Sequence, residues 1–83
     1  MTTTILKKTR PNPLRAWRHQ QRKLLSMRRL AAQLGVSSVS VFDWETGNTT
    51  PRPENFAKIA ALMGQDPGAL RRSWDRWLEG MLI

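Results

Sequence analysis

Residues 26–51, S-M-R-R-L-A-A-Q-L-G-V-S-S-V-S-V-F-D-W-E-T-G-N-T-T-P, are divided by their own turn chemistry. Ser26 and Ser37 each stand where a side-chain oxygen caps the free N–H groups of a helix start. Gly35 stands where a left-handed residue stops a helix, and a second glycine, Gly47, opens an exposed loop that ends at Pro51 and closes the run. The run therefore predicts two short helices joined by one glycine, the first from Ser26 to Gly35 and the second from Ser37 to about Glu45. Leu30, Ala31, Leu34, Val36, Val41 and Trp44 are spaced to pack the pair on a single core. That spacing leaves Ser38, Val39, Phe42 and Asp43 on the outward face of the second helix.

The flanks continue the helical pattern. Asn12-Pro13 is a good cap followed by a good first helical residue, opening a helix expected to reach about Lys23. In it Leu14 and Trp17 point inward, with Arg15, Arg18 and Arg22 outside or at the edge. Pro53 begins a fourth helix with Phe56, Ile59, Ala60, Leu62 and Met63 at three- and four-residue steps, stopped by Gly64. Asp66-Pro67 opens a last helix running to about Met81, apolar at Leu70, Trp74, Trp77, Leu78, Met81 and Leu82. No strand pattern and no internal repeat occurs. Residues 1–12 are expected to form a basic arm, residues 13–83 one small all-α domain with its two-helix unit at 26–45.

Charge is distributed unevenly. The net +8 comes wholly from the first half, where residues 1–42 hold nine Lys/Arg and no acid. Residues 43–83 hold five basic residues against six acids, a net of −1. A folded basic half beside a neutral one fits a phosphate-binding surface better than a solvated face that merely aids solubility. Anionic membrane is the weaker partner, because the tryptophans sit at core-like positions and no strongly amphipathic basic helix stands alone. There is no cysteine, hence neither a disulfide framework nor a thiolate metal site. The start of the chain has no signal-peptide run and no segment is long enough to span a membrane, so a cytoplasmic location is expected. His19 is the single histidine and the six carboxylates (Asp43, Glu45, Glu54, Asp66, Asp75, Glu79) are scattered. No metal set or acid–base pair emerges, so neither an enzyme nor a cofactor is expected.

Leu25-Ser26, Leu30-Ala31, Leu34-Gly35-Val36-Ser37, Val41, Trp44-Glu45, Gly47, Pro51, Leu62 and Gly64 together resemble the phage-repressor, Cro-like (Xre-type) helix-turn-helix family over about residues 14–70. The resemblance implies a five-helix, lambda-repressor-like domain, encoded by a bacterium, phage or mobile element, that binds double-stranded operator DNA as a homodimer. Its third helix would lie in the major groove. Carried over by position, Ser38, Val39, Phe42 and Asp43 form the base-facing set. Met27, Arg28, Arg29, Ser37, Ser40, Asn48, Thr49 and Arg52 form the set near the DNA backbone. Met27 stands where the family often places a phosphate-binding glutamine, which leaves its backbone N–H at a helix start for that role. Glu45 resembles the family's acidic residue that pairs with an arginine of helix 1, and Arg18 is the candidate partner. The chain departs from the pattern in a longer passage from helix 1 to Ser26 and in Leu24, where a glycine is usual.

Phe42 is suited to a thymine methyl and Asp43 to a cytosine amine. The competing assignments turn Phe42 into the core and leave Asp43 capping a neighbour or pairing with an arginine. Lys7, Lys8 and Arg10 are placed to reach around a duplex from the arm, or to be solvated. Leu70, Trp74, Trp77, Leu78 and Met81 make a stripe wider than one small domain needs, the candidate dimer interface; the alternative folds the last helix back onto its own domain. The function expected is sequence-specific transcriptional regulation. Its rival is a protein-interaction module of the same fold, of antitoxin or antirepressor type, with DNA binding secondary. No small-molecule ligand is expected.

Overall fold

The computed structural model describes residues 11–21, 23 and 25–81. Within them the chain forms five helices: α1 (Pro13–His19), α2 (Met27–Leu34), α3 (Ser38–Thr46), α4 (Pro53–Met63) and α5 (Pro67–Met81). No strand occurs among the described residues, and no helix there is long and apolar enough to cross a membrane.

The helix ends lie where local chemistry puts them. Asn12 Oδ1 accepts from the N–H groups of Leu14 (2.9 Å) and Arg15 (3.1 Å). Ser26 Oγ accepts from Arg29 N–H and Ser37 Oγ from Ser40 N–H, and Asp66 Oδ2 does the same for Ala69. These bonds satisfy donors that have no intrahelical acceptor in a first turn. At the other ends Gly35, Gly47 and Gly64 adopt φ of 73°, 86° and 71°, the left-handed geometry that closes α2, α3 and α4.

Helix α1 ends four residues before the expected Lys23. Gln20 N–H is shared between the carbonyls of Ala16 and Trp17, and the Gln21 side-chain amide donates to Trp17 O at 2.9 Å. The tightened turn and the side-chain bond consume the carbonyls that a further helical turn would use. Arg22 lies outside the described residues.

Helix α2 packs on α3 and α4, and α5 packs on α4 and α1. The core gathers Leu14, Leu30, Ala31, Leu34, Val41, Trp44, Phe56, Ile59, Ala60, Leu70, Trp74 and Trp77, with Trp17, Leu25, Met27, Val36, Met63 and Leu78 half-buried against it. Of the apolar positions expected inside α4, Leu62 is at the surface. Trp74 stands edge-on to both Phe56 and Trp77, with centroids 5.1 and 6.1 Å away. Such T-shaped packing sets the positive ring edge against a negative ring face.

Two expectations are corrected by this packing. Leu70, Trp74 and Trp77 are buried in the core of their own chain, because α5 lies across α1 and α4 and closes the domain. Of the expected dimer stripe, only Met81 is exposed and Leu78 half-buried. Arg18, expected outside or at the edge, is buried with 6% of its surface exposed. Its charge is met inside by Glu45, the partner that the resemblance implied.

Candidate nucleic-acid interface

The outward face of α3 is fixed from beneath. Val41, Trp44 and Glu45 are buried, so the helix cannot rotate about its axis without losing core and ion pair together. Glu45 takes two parallel hydrogen bonds from Arg18, Nε to Oε2 at 2.9 Å and Nη2 to Oε1 at 2.8 Å. The third donor of that guanidinium, Nη1, reaches Leu25 O at 3.0 Å. The carboxylate raises the Arg18 pKa above the ordinary arginine value against the opposing effect of burial. Arg18, charged and paired, is thus a strut between α1, α3 and the segment leading to α2.

With α3 locked, Val39 is 65% exposed and Phe42 48% exposed. Phe42 therefore does not turn into the core. Ser38 and Asp43 are half-exposed beside them. The expected base-facing set thus shares one side of α3. Asp43 Oδ1 accepts a 3.3 Å hydrogen bond from Asn48 Nδ2, and Asp43 O accepts from Thr49 N–H, so this residue also ties the α3–α4 loop to the helix.

A shallow groove, mainly apolar, runs between the start of α2 and the start of α3, lined by Ser26, Met27, Arg28, Ser38, Val39 and Phe42. Met27 forms part of it while also packing on the core, so its side chain is structural and its N–H lies at the α2 start. Arg28 is exposed. Ser37 and Ser40 bond to each other through their hydroxyls at 3.1 Å, and Asn48, Thr49 and Arg52 are exposed on the loop.

Arg29 does not join this set. One position on from Arg28, it lines a different groove with Trp17, Gln21, Lys23, Leu25, Gln33 and Leu62. Consecutive helical residues diverge by about 100°, which carries Arg29 away from the α3 face. Lys7, Lys8 and Arg10 lie outside the described residues.

Arg15 was not singled out from the sequence as a site residue. It is exposed and lines a cleft with Arg18, Met27, Phe42, Glu45 and Thr46, bringing an exposed guanidinium to the second flank of Phe42. The signal was present: Arg15 precedes Arg18 by three, so an Arg18 that points at α3 puts Arg15 on the same side of α1. The α3 face is thereby apolar at its centre with Arg28 on one flank and Arg15 on the other.

One comparison with known families agrees with this fold. The helix-turn-helix family model matches residues 14–70, well over half of the 83-residue chain. Searches of curated proteins and of solved structures returned no match. The matched segment runs from the first core residue of α1 to the first of α5 and contains the α2–Gly35–α3 unit whole. This chain belongs to the Cro-like, Xre-type helix-turn-helix family of DNA-binding regulators.

Proposed function

We propose that the protein is a sequence-specific transcriptional regulator that binds duplex DNA with α3 in the major groove, two copies together reading an inverted repeat. The observation that carries this reading is the α3 face itself. Val39 and Phe42 stand in solvent on a helix locked from behind, with Arg28 and Arg15 lining the clefts beside them. A major groove admits one helix, and cations beside that helix meet the phosphates on its walls.

The backbone contacts come from Arg15, Arg28, Arg52, the N–H groups at the start of α2, and Lys7, Lys8 and Arg10 of the arm. Ser38, Val39, Phe42 and Asp43 face base edges. Two copies related by a twofold axis place their α3 helices about one helical turn apart along the duplex. Leu78 and Met81, the part of the α5 stripe not buried in the chain's own core, are the contact assigned to that pairing.

The test is selection from a randomised duplex library with the full chain at near-physiological salt. A palindromic consensus is the expected result. Enrichment of nothing, with binding that disappears as salt rises, overturns the reading and leaves only non-specific attraction by the basic half. Sedimentation of Met81→Glu against the parent chain checks the pairing surface, and a dimer indifferent to that change places the contact elsewhere.

A further inference from the structure

Helix α3, S-V-S-V-F-D-W-E-T, carries no Arg, Lys, His, Asn or Gln. Those side chains make the bidentate contacts by which guanine (Arg, Lys) and adenine (Asn, Gln) are read in the major groove. The polar groups that α3 does carry are largely engaged. Ser40 bonds to Ser37, Thr46 Oγ1 donates to Phe42 O at 2.9 Å, and Asp43 Oδ1 is held by Asn48. Glu45 is buried against Arg18. Beside the Ser38 hydroxyl and the second Asp43 oxygen, the side chains that stand furthest into solvent are apolar: Val39 and Phe42, bordering a groove completed by Ser26, Met27, Arg28 and Ser38.

An apolar side chain in the major groove has one base feature to recognise, the methyl group on C5 of a pyrimidine. Given that α3 enters the major groove, as proposed above, we infer that Val39 and Phe42 form a methyl reader that selects 5-methylpyrimidines in the half-site. Thymine carries that methyl in unmodified DNA and 5-methylcytosine carries it in methylated DNA. The free-energy gain comes from removing methyl and side-chain surface from water rather than from hydrogen bonds. Arg28, which lines the same groove, supplies positive charge for a backbone phosphate beside it. The chain's sequence preference thus depends on a group absent from uracil and from unmodified cytosine.

The experiment takes the consensus recovered by library selection and replaces each thymine in turn by deoxyuridine. This removes the methyl and keeps the pairing and the O4 acceptor. At least one position per half-site should weaken binding about four-fold, the worth of one buried methyl-sized group. In Val39→Ala or Phe42→Ala, both solvent-facing changes whose folding circular dichroism checks, that position should lose its sensitivity to deoxyuridine. A cytosine–guanine pair at the same position, with and without the 5-methyl group, distinguishes the two sources. Methylation that restores affinity makes 5-methylcytosine a second ligand, and methylation without effect confines the reader to thymine. A consensus whose thymines all tolerate deoxyuridine, or a sensitivity that survives both variants, overturns the methyl reader while leaving the regulator intact. A library that yields no consensus overturns both.

Discussion

The guanidinium of Arg18 and the carboxylate of Glu45 meet in a two-bond fork, at 2.9 and 2.8 Å, with side chains only 7% and 1% exposed. The pair spans 27 residues of sequence and joins α1 to the back of α3. Taking both ions out of water is costly, and the fork with its extra bond to Leu25 O offsets part of that cost by giving each guanidinium nitrogen an acceptor.

Removing one partner strands the other. Glu45→Ala is expected to destabilise the domain by about 3–5 kcal/mol, and Arg18→Ala by a similar amount, read from urea midpoints at constant m. The double change Arg18→Met with Glu45→Leu should cost less than either single one, since it leaves no buried charge. Equal or larger loss in the double variant would contradict the account. The sign of the pH dependence follows from Arg18. Its folded pKa is raised, so its contribution is complete below the ordinary arginine value and is lost only as pH climbs through the raised one. Between about pH 7 and 10, then, Arg18 should add no slope to stability.

Asn12 does two jobs that ordinary capping does not combine. Its Oδ1 caps α1, while its Nδ2 donates 3.4 Å to Trp44 O in α3, and the residue is 2% exposed. Asn and Asp are equal as caps on average. Here Asn12→Asp loses the donor and buries a carboxylate against a carbonyl, so it should cost at least as much as Asn12→Ala, about 1–2 kcal/mol. A neutral Asn12→Asp in thermal melts at neutral pH would reduce the residue to a plain cap.

What could be foreseen from the chain and what could not divides along sequence separation. The boundaries of α2 through α5 were legible because Ser26, Ser37, Asp66, Gly35, Gly47 and Gly64 act on backbone within a few residues. The sides of α3 were legible too, because Val41 and Trp44 fix the inner one. The tightening of α1 at Gln20 was not, since it depends on a glutamine side chain folding back to Trp17. Nor was the burial of Arg18, which periodicity alone put at the surface; only the family resemblance supplied its partner in Glu45. The apolar stripe of α5 was legible as a stripe, but 4-3-1-3 spacing does not say which surface covers it. The structure shows that Leu70, Trp74 and Trp77 complete the chain's own core.

Gly47 and Gly64 offer a comparison between two left-handed helix stops, at φ 86°, ψ 5° and φ 71°, ψ 31°. Both are left-handed, and alanine at either should cost about 1–2 kcal/mol for that conformation. Around Gly64 a new Cβ meets nothing within 4 Å, whereas at Gly47 it would lie 3.1 Å from Met81 Cε and 3.4 Å from Trp77 Cη2. The Met81 thioether is the far end of a flexible, exposed side chain and can yield. Gly47→Ala should therefore exceed Gly64→Ala by less than about 1 kcal/mol, and Met81→Ala in the same chain should erase the excess. An excess that persists without the methionine would trace to the indole of Trp77 or to the different φ and ψ of Gly47.

The charges that flank α3 should be separable by salt. Each phosphate contact releases counterions, so losing one lowers the slope of log affinity against log salt by about one without changing which sequence is preferred. Arg15→Ala and Arg28→Ala are expected to do this, because both side chains border Phe42. Arg29→Ala removes the same charge one residue away, from the groove beside Trp17 and Leu62, and should leave the slope nearly unchanged. Titrations of the selected duplex at several salt concentrations decide it. If the three variants flatten the slope alike, net charge alone governs binding, and the placement of Arg15 and Arg28 beside α3 has no part in it.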